Sequence, residues 1–294
     1  MPEDEGISRS RPYGLAMSDS EIVEETPPLD LRLSETELDA HREQITQFIG
    51  ETVDDAGAEG AVLGLSGGID STLTAYLACE ALGSEGVHGL VMPSEVNEEE
   101  NMSDAERVAQ SVEIPYDVIE IGPIVEKVVG AFPEASEDRT AVGNVRVRTR
   151  AVCNYLVANH ENRIVLGTGN RSEALAGYYT KYGDQAVDCN PIGNLYKLQV
   201  RQLAAHVGVP DDLIEKAPTA GMWTGQTDEE EMGLGYDTLD RVLALHIDGP
   251  LSKTATIRTL GIDRSVVERV EELYARSEHK RHMPPAPDPL DPRD

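Results

Sequence analysis

Apolar and polar positions along this chain fall into two alternating patterns. Strand-length segments rich in apolar and branched residues at 61–65, 87–92, 116–121 and 163–168 read as the strands of a buried sheet. Stretches between them repeat their apolar residues at three- and four-residue spacing, as helices do. Ser34-Glu-Thr-Glu37 is a capping box, and the helix it opens places Leu38, Ile45, Phe48 and Ile49 on one face. Leu73, Tyr76 and Leu77 mark a helix directly after the first strand. A second box at Ser103–Glu106 predicts a helix to about Val112. Residues 124–129 and 144–159 are helical in pattern, and 132–143 reads as loop. Past the fourth strand, Tyr178–Asp184 and Val187–Pro191 are polar and rich in turn residues. Helical periodicity returns at 197–207, near Tyr236 after a third box at Thr227–Glu230, and at 265–277. Strands alternating with helices of this size predict an α/β fold, a doubly wound parallel sheet with helices on both faces in a single domain. That domain is expected to span 31–283, between an acidic N-terminal tail (1–30) and a Pro-rich C-terminal tail (284–294).

Composition narrows the function. Aromatic residues are only 4% of the chain, so Val, Leu, Ile and Ala must build the core. The net charge of -29 argues against partnership with nucleic acid or an anionic membrane. Only six residues are lysine: Lys127, Lys181, Lys197, Lys216, Lys253 and Lys280. A surface rich in carboxylates and poor in lysine fits a protein working in high salt, where self-repulsion is screened. In such a chain a retained lysine is a candidate for a specific task. Cys79, Cys153 and Cys189 have neither metal-ligand spacing nor a disulfide pattern. No apolar run reaches membrane-spanning length and the first residues lack a signal pattern, so a cytoplasmic, reducing location is expected.

The chemistry starts at Ala61–Ser71. An apolar strand breaks into Ser66-Gly67-Gly68-Ile69-Asp70-Ser71 and a helix follows. Glycines let the backbone approach an oxyanion, and the free N–H groups and dipole of the helix point at it. No Gly-Lys-Ser/Thr follows, so this is not a Walker loop. Ser66 and Ser71 can add donors, and Asp70 can hold a divalent cation beside phosphates. Ser66, Asp70, Met92 and Thr168 all fall at strand carboxyl ends, where a doubly wound sheet opens its ligand crevice. Glu173, five residues after Thr168, can reach the same cation as Asp70; the plain alternative is a carboxylate serving its own helix N-terminus. Arg146, Arg148 and Arg150 spread over roughly 200 degrees at helical spacing and cannot all face one ligand. Arg148 is the choice for a substrate contact, with Arg146 or Arg150 in ion pairs.

Ser-Gly-Gly-Ile-Asp-Ser resembles the signature of the ATP pyrophosphatases, which cleave ATP to AMP and pyrophosphate and share the adenine nucleotide alpha hydrolase-like fold. Further segments narrow this: Gly167-Thr168…Glu173, Tyr179-Thr-Lys-Tyr-Gly-Asp184…Asp188…Pro191…Lys197, Pro218-Thr-Ala220 and Ser277-Glu-His-Lys-Arg281. Their order and spacing are similar to those of the ammonia-dependent NAD synthetases over residues 40 to 283. A hydrophobic residue common amid that family's arginine segment is replaced by Thr149 or Ala151, and neither the first 30 residues nor the acidic segment 94–101 has a counterpart.

The resemblance implies that Gly64, Leu65, Ser66, Gly67, Gly68, Ile69, Asp70, Ser71, Thr168, Lys197 and Thr219 bind ATP. It implies that Asp70 and Glu173 bind magnesium, and that Arg148, Lys181, Asp188, His279 and Lys280 contact deamido-NAD. Taken singly, His279 and Lys280 would be a solvated helix end. Asp70, Lys197 and Asp188 are the implied catalytic residues, with ATP as cosubstrate and a homodimer whose active site lies at the interface. Either Asp184 or Asp188 could assist deprotonation of ammonium. No cysteine has a glutaminase setting, so free ammonia is the expected nitrogen donor; a separate glutaminase subunit stays open. Against the rivals, Thr-Lys-Tyr-Gly-Asp and His-Lys-Arg do not fit a GMP synthetase, the charge does not suit a tRNA-thiolating enzyme, and an Asp70–Glu173 metal pair speaks for turnover over a universal-stress type nucleotide sensor.

Overall fold

A computed structural model describes residues 31–94, 99–219, 221, 223 and 226–287. The expected N-terminal tail, the centre of the acidic segment and the last seven residues lie outside them. Four parallel strands, β1 (Ala61–Leu65), β2 (Val87–Val91), β3 (Tyr116–Val118) and β4 (Ile164–Val165), lie in the order β3-β2-β1-β4. The register is set by Ala61 opposite both Val87 and Ile164. The chain moves outward from β1 to β3, then returns to the other side of β1, so strand order reverses between β1 and β4. The carboxyl ends of these two strands diverge there and leave a crevice.

Among the described residues twelve α-helices accompany the sheet: α1 (Glu35–Ala56), α2 (Ile69–Leu82), α3 (Glu99–Ser111), α4 (Gly122–Gly130), α5 (Arg139–His160), α6 (Arg171–Ala176), α7 (Lys197–His206), α8 (Asp211–Ile214), α9 (Asp228–Met232), α10 (Tyr236–Val242), α11 (Lys253–Leu260) and α12 (Arg264–Arg276). Helices α1, α2 and α7 pack together, with α2 on β1, and bury Ile45, Ile49, Leu63, Leu73 and Val200. Helix α5 covers β1 and β4 on the other face, over Val62, Leu90 and Val165. A third cluster, around Tyr236, Leu239, Val267 and Val270, joins α6, α10 and α12 beside the crevice.

Local chemistry explains most boundaries. Ser34 caps α1 reciprocally with Glu37, and Gly57 ends it in the left-handed conformation at φ 62. Ser34→Ala is expected to cost about 1 kcal/mol, measurable by urea unfolding in high salt. Phe48, expected on the inner face of α1, is 42% exposed, because the buried stripe runs through Leu38, Ile45, Ile49 and Val53. The Ser103–Glu106 box does not start a helix, since α3 begins at Glu99 and passes through it. Such a box satisfies orphan N–H groups only at a first turn. Residues 132–143, expected as loop, hold a 3-10 turn at Pro133–Ala135 and the first turn of α5, capped by Asp138 accepting from the Ala141 N–H. Thr227 precedes α9 but makes no side-chain cap. The turn-rich segment 178–191 borders β4: the Asp188 N–H donates to the Val165 carbonyl at 3.0 Å and the Gly167 N–H to the Cys189 carbonyl at 2.8 Å.

Candidate active site

The crevice is a cavity of about 920 Å³ lined by the turn after β1, the ends of β2 and β4, α5, the 178–187 segment, residues 216–219, 221 and 223, and the start of the 277–281 segment. At its floor Gly67 takes φ +73 and Gly68 is the extended N-cap of α2. No side chain caps α2, so its first N–H groups face the cavity as an anion site. The Ser66 and Ser71 hydroxyls sit 3.0 Å apart, and Ser71 Oγ donates back to the Gly68 carbonyl at 3.0 Å, which braces the turn.

The first turn of α2 also carries Asp70, which meets side chains from two other helices. Asn170 Nδ2 donates to Asp70 Oδ1 at 2.9 Å, and Lys197 Nζ donates to Asp70 Oδ2. Glu173 Oε1 lies 3.7 Å from the same ammonium. Asn170 is the N-cap of α6: it accepts from the Glu173 N–H at 3.0 Å, and its own N–H donates to Glu173 Oε2 at 3.3 Å. Glu173 therefore serves its own helix N-terminus, the plain alternative posed by the sequence, and does so within 3.7 Å of the ammonium that holds Asp70.

Charge balance in this cluster is uneven. Lys197 is 2% exposed. Burial alone would lower its pKa, but Asp70 and Glu173 outweigh burial and hold it above the ordinary lysine value. Burial first, and then the charge of Asp70, push Glu173 up to about 8. Asp228 approaches from α9; it is buried, accepts from Tyr236 at 2.9 Å through Oδ2, and is also shifted upward, chiefly by burial. One ammonium among these carboxylates leaves room for a further hard cation. Among the described residues no three His, Cys, Asp or Glu side chains form a metal cluster. The protein thus offers Asp70 and Glu173, a donor set that fits magnesium when phosphate and water complete the shell.

A buried polar network fixes Lys197. The Ser172 hydroxyl accepts from the Lys197 N–H at 2.9 Å and donates to Asp240 Oδ1, while Asp240 Oδ2 accepts from the Leu198 N–H at 2.8 Å. Asp240 is fully buried, which pushes it up to about 6. Asn170, Ser172, Asp228 and Asp240 were not singled out from sequence. The only signal for Asn170 was its place three residues before Glu173, the spacing of a reciprocal cap.

The remaining expected residues divide. Gly64, Leu65, Thr168 and Thr219 line the cavity, as do His279 and Lys280. Lys280 Nζ donates to the Gly177 and Tyr179 carbonyls at 2.7 Å each, and burial lowers its pKa. Gly177 permits this docking: a Cβ there would lie 1.9 Å from Ser277 Cβ. Lys181 is outside the cavity wall, its Nζ on the His279 carbonyl at 2.5 Å. Arg148 also lies outside, exposed and donating to the Lys181 carbonyl. It is Arg150 that faces the cavity, donating to the Met92 carbonyl at 3.1 Å, with burial and then Arg146 lowering its pKa to about 10. Asp188 points away from the cavity lining; Tyr155 Oη and the Val165 N–H donate to it at 3.0 and 2.7 Å. Asp184 lines the cavity and accepts from the Thr180 N–H at 2.8 Å. Desolvation pushes its carboxyl upward, while the Thr180 N–H and the Lys280 charge pull against that shift.

A parallel sheet with the order reversed at β1, an uncapped glycine-rich helix N-terminus and a buried lysine between carboxylates define an adenine nucleotide alpha hydrolase-like domain of the ATP-consuming type. Residues 41–284 match the profile of the NAD synthase family, and the chain belongs to that family. It is 62% identical over 260 residues to an NH(3)-dependent NAD(+) synthetase of Halobacterium salinarum, covering 88% of this chain and 97% of that one. A Thermococcus kodakarensis protein with the same description is 47% identical over 246 residues, 84% of this chain and 96% of that one. Among solved structures, the NMN synthetase from Francisella tularensis superposes with TM-score 0.76 at 34% identity, covering 87% of this chain and all of that one. The NH3-dependent NAD synthetase from Campylobacter jejuni gives 0.71 at 31% identity, over 85% and 99%. The salt-adapted composition agrees with the Halobacterium relative.

Proposed function

We propose that this cavity amidates deamido-NAD to NAD with ammonia at the expense of ATP, releasing AMP and pyrophosphate, as the last step of NAD biosynthesis. The observation that carries this reading is the meeting of Asp70, Asn170, Glu173 and Lys197 beside the open N-terminus of α2. The N–H groups after Ser66 hold the ATP phosphates. The nicotinate carboxylate attacks the α-phosphorus, the bond to pyrophosphate breaks, and the Lys197 ammonium neutralises the leaving charge. Ammonia then attacks the carbonyl of the deamido-NAD adenylate and AMP leaves. Magnesium, held by Asp70 and Glu173, would supply charge neutralisation for the phosphates. Lys280 braces the 177–179 backbone, and Asp184, one of the carboxylates that line the cavity, is the one we assign to take a proton from ammonium. Asp188, bonded to Tyr155 and Val165, shapes the edge of β4 beside it.

We also propose a homodimer. Val152 and Leu156, one turn apart on α5, are 68% and 67% exposed, and Ile124 and Val128 on the adjoining α4 are 42% and 50% exposed. An apolar stripe of this kind fits a partner helix pair better than water. Leu156→Asp is expected to shift sedimentation from dimer to monomer and to lower activity; an unchanged species would remove α5 from the interface. No described helix is long and apolar enough to cross a membrane, and we place the enzyme in the cytoplasm.

The decisive assay mixes protein, ATP, magnesium, deamido-NAD and ammonium in high salt, omitting one component at a time. AMP and NAD are expected in equal amounts from the complete mixture alone. AMP formed with nicotinate mononucleotide but not with deamido-NAD would replace the acceptor. No AMP from folded protein would sink the reading.

A further inference from the structure

Lysine is scarce in this chain, and Lys181, Lys197 and Lys280 are already placed. Lys216 is a further lysine in the cavity wall, three residues before Thr219. Other cations that line the cavity are committed: Arg150 to the Met92 carbonyl, Lys197 to Asp70, Lys280 to two carbonyls, Arg269 to Glu272 and the Met232 carbonyl, and Arg276 to Glu272. Lys216 Nζ rests on Asp104 Oδ2 of α3 at 2.5 Å, with side-chain exposures of only 22% and 14%. Asp104 has a second cation in waiting. Arg107 Nη2 lies 3.2 Å from its other oxygen and 2.6 Å from Asp212. Lys216 can therefore leave Asp104 without stranding a half-buried carboxylate, a loss that would otherwise be costly. Pro218 fixes its own φ and restrains Ala217, which stiffens the Lys216–Thr219 spacing, and both residues line the cavity.

We propose that Lys216 is a phosphate-binding residue of this site, held on Asp104 in the free enzyme and transferred to the ATP polyphosphate on binding. The proposal rests on the ATP-dependent reading above. A lysine ammonium is a compact point charge suited to a polyphosphate tail. Lys197 is already shared between Asp70 and Glu173, and a second mobile cation on the Thr219 side would flank the leaving pyrophosphate.

The test is calorimetric titration of the full chain with magnesium-ATP and no acceptor, in high salt. Lys216→Gln is expected to weaken ATP binding roughly tenfold to a hundredfold, the range of a lost charge-assisted contact, and Lys216→Arg to stay within a few-fold of the parent. Asp104→Asn is expected to bind ATP as tightly as the parent or more so, because the lysine no longer has a carboxylate to leave. Equal weakening by Lys216→Gln and Asp104→Asn would reduce the pair to a tether and overturn the proposal, as would unchanged binding by Lys216→Gln. The exchanged pair, Asp104→Lys with Lys216→Asp, discriminates independently: binding that stays weak supports the phosphate role, and restored binding supports the tether. Thermal melting of each variant separates loss of folding from loss of affinity. No acceptor is present, so the ATP result stands even if the parent enzyme fails to adenylate deamido-NAD; that failure would show as missing AMP in the omission assay.

Discussion

Lys197→Met is expected to lower kcat by about a thousandfold, the upper range for removing one preorganised charge donor from a buried transition state. The ammonium it removes is held by Asp70, lies 3.7 Å from Glu173 and sits 5.3 Å from the centre of the Tyr236 ring. Methionine keeps the length of the stem and loses only the charge. The Ser172 and Asp240 bonds to the start of α7 involve backbone N–H groups and survive the substitution, so the helix stays in place. Breaking a buried pair ordinarily costs about 3–5 kcal/mol. The cost is expected to be smaller here at neutral pH, because Glu173, raised to about 8 by burial and then by Asp70, already carries its proton there and leaves Asp70 as the main charge to lose its partner. Steady-state kinetics and urea unfolding read the two effects separately. A kcat within tenfold of the parent would exclude Lys197 from charge neutralisation on the leaving group.

Glu173→Gln is expected to abolish most turnover, since the proposed magnesium loses one of its two protein ligands. Its more diagnostic effect is on the ligand-free protein. The folded-state pKa of Glu173 is raised from 4.5 to about 8, by burial and then by Asp70. A raised carboxyl favours the folded state fully below about pH 4.5 and loses that contribution as pH rises through about 8. The parent protein should therefore lose stability across this window. The Gln variant does not titrate and should lose less, so the gap between the two melting curves widens up to about pH 8 and is flat beyond it. Adding magnesium is expected to raise the melting temperature of the parent above pH 7 and to leave the variant nearly unchanged. Parallel pH profiles would mean that Glu173 is not the strained carboxylate of this cluster.

Much of the architecture was legible in the chain. The central strands β1 and β2 are buried along their length, and the run after Gly60 leads directly into the phosphate turn. Where local patterns misled, tertiary contacts decided. Ser103 and Glu106 have the residue types of a cap, yet α3 had already begun at Glu99, so no orphan N–H groups remained for them. Elsewhere the sequence left only placement open: Arg148 and Arg150 are indistinguishable as residue types. The roll of α5 against β1 turns Arg150 to the cavity and leaves Arg148 bracing the Lys181 carbonyl.

By itself the sequence determined the parallel α/β class, the anion-binding turn at Ser66–Ser71, the salt-adapted surface and the value of each rare lysine. Those properties follow from local periodicity, short spacing and composition. Only the tertiary structure decided which side chains share the cavity. Asp70 and Lys197 stand 127 positions apart, as do Ser172 and Asp240 at 68 and Lys216 and Asp104 at 112. The first two pairings arise from how α2, α6, α7 and α10 pack at the point where strand order reverses, and the third from the meeting of α3 with the segment after α8. Burial then converts those meetings into shifted charges, which no spacing along the chain encodes.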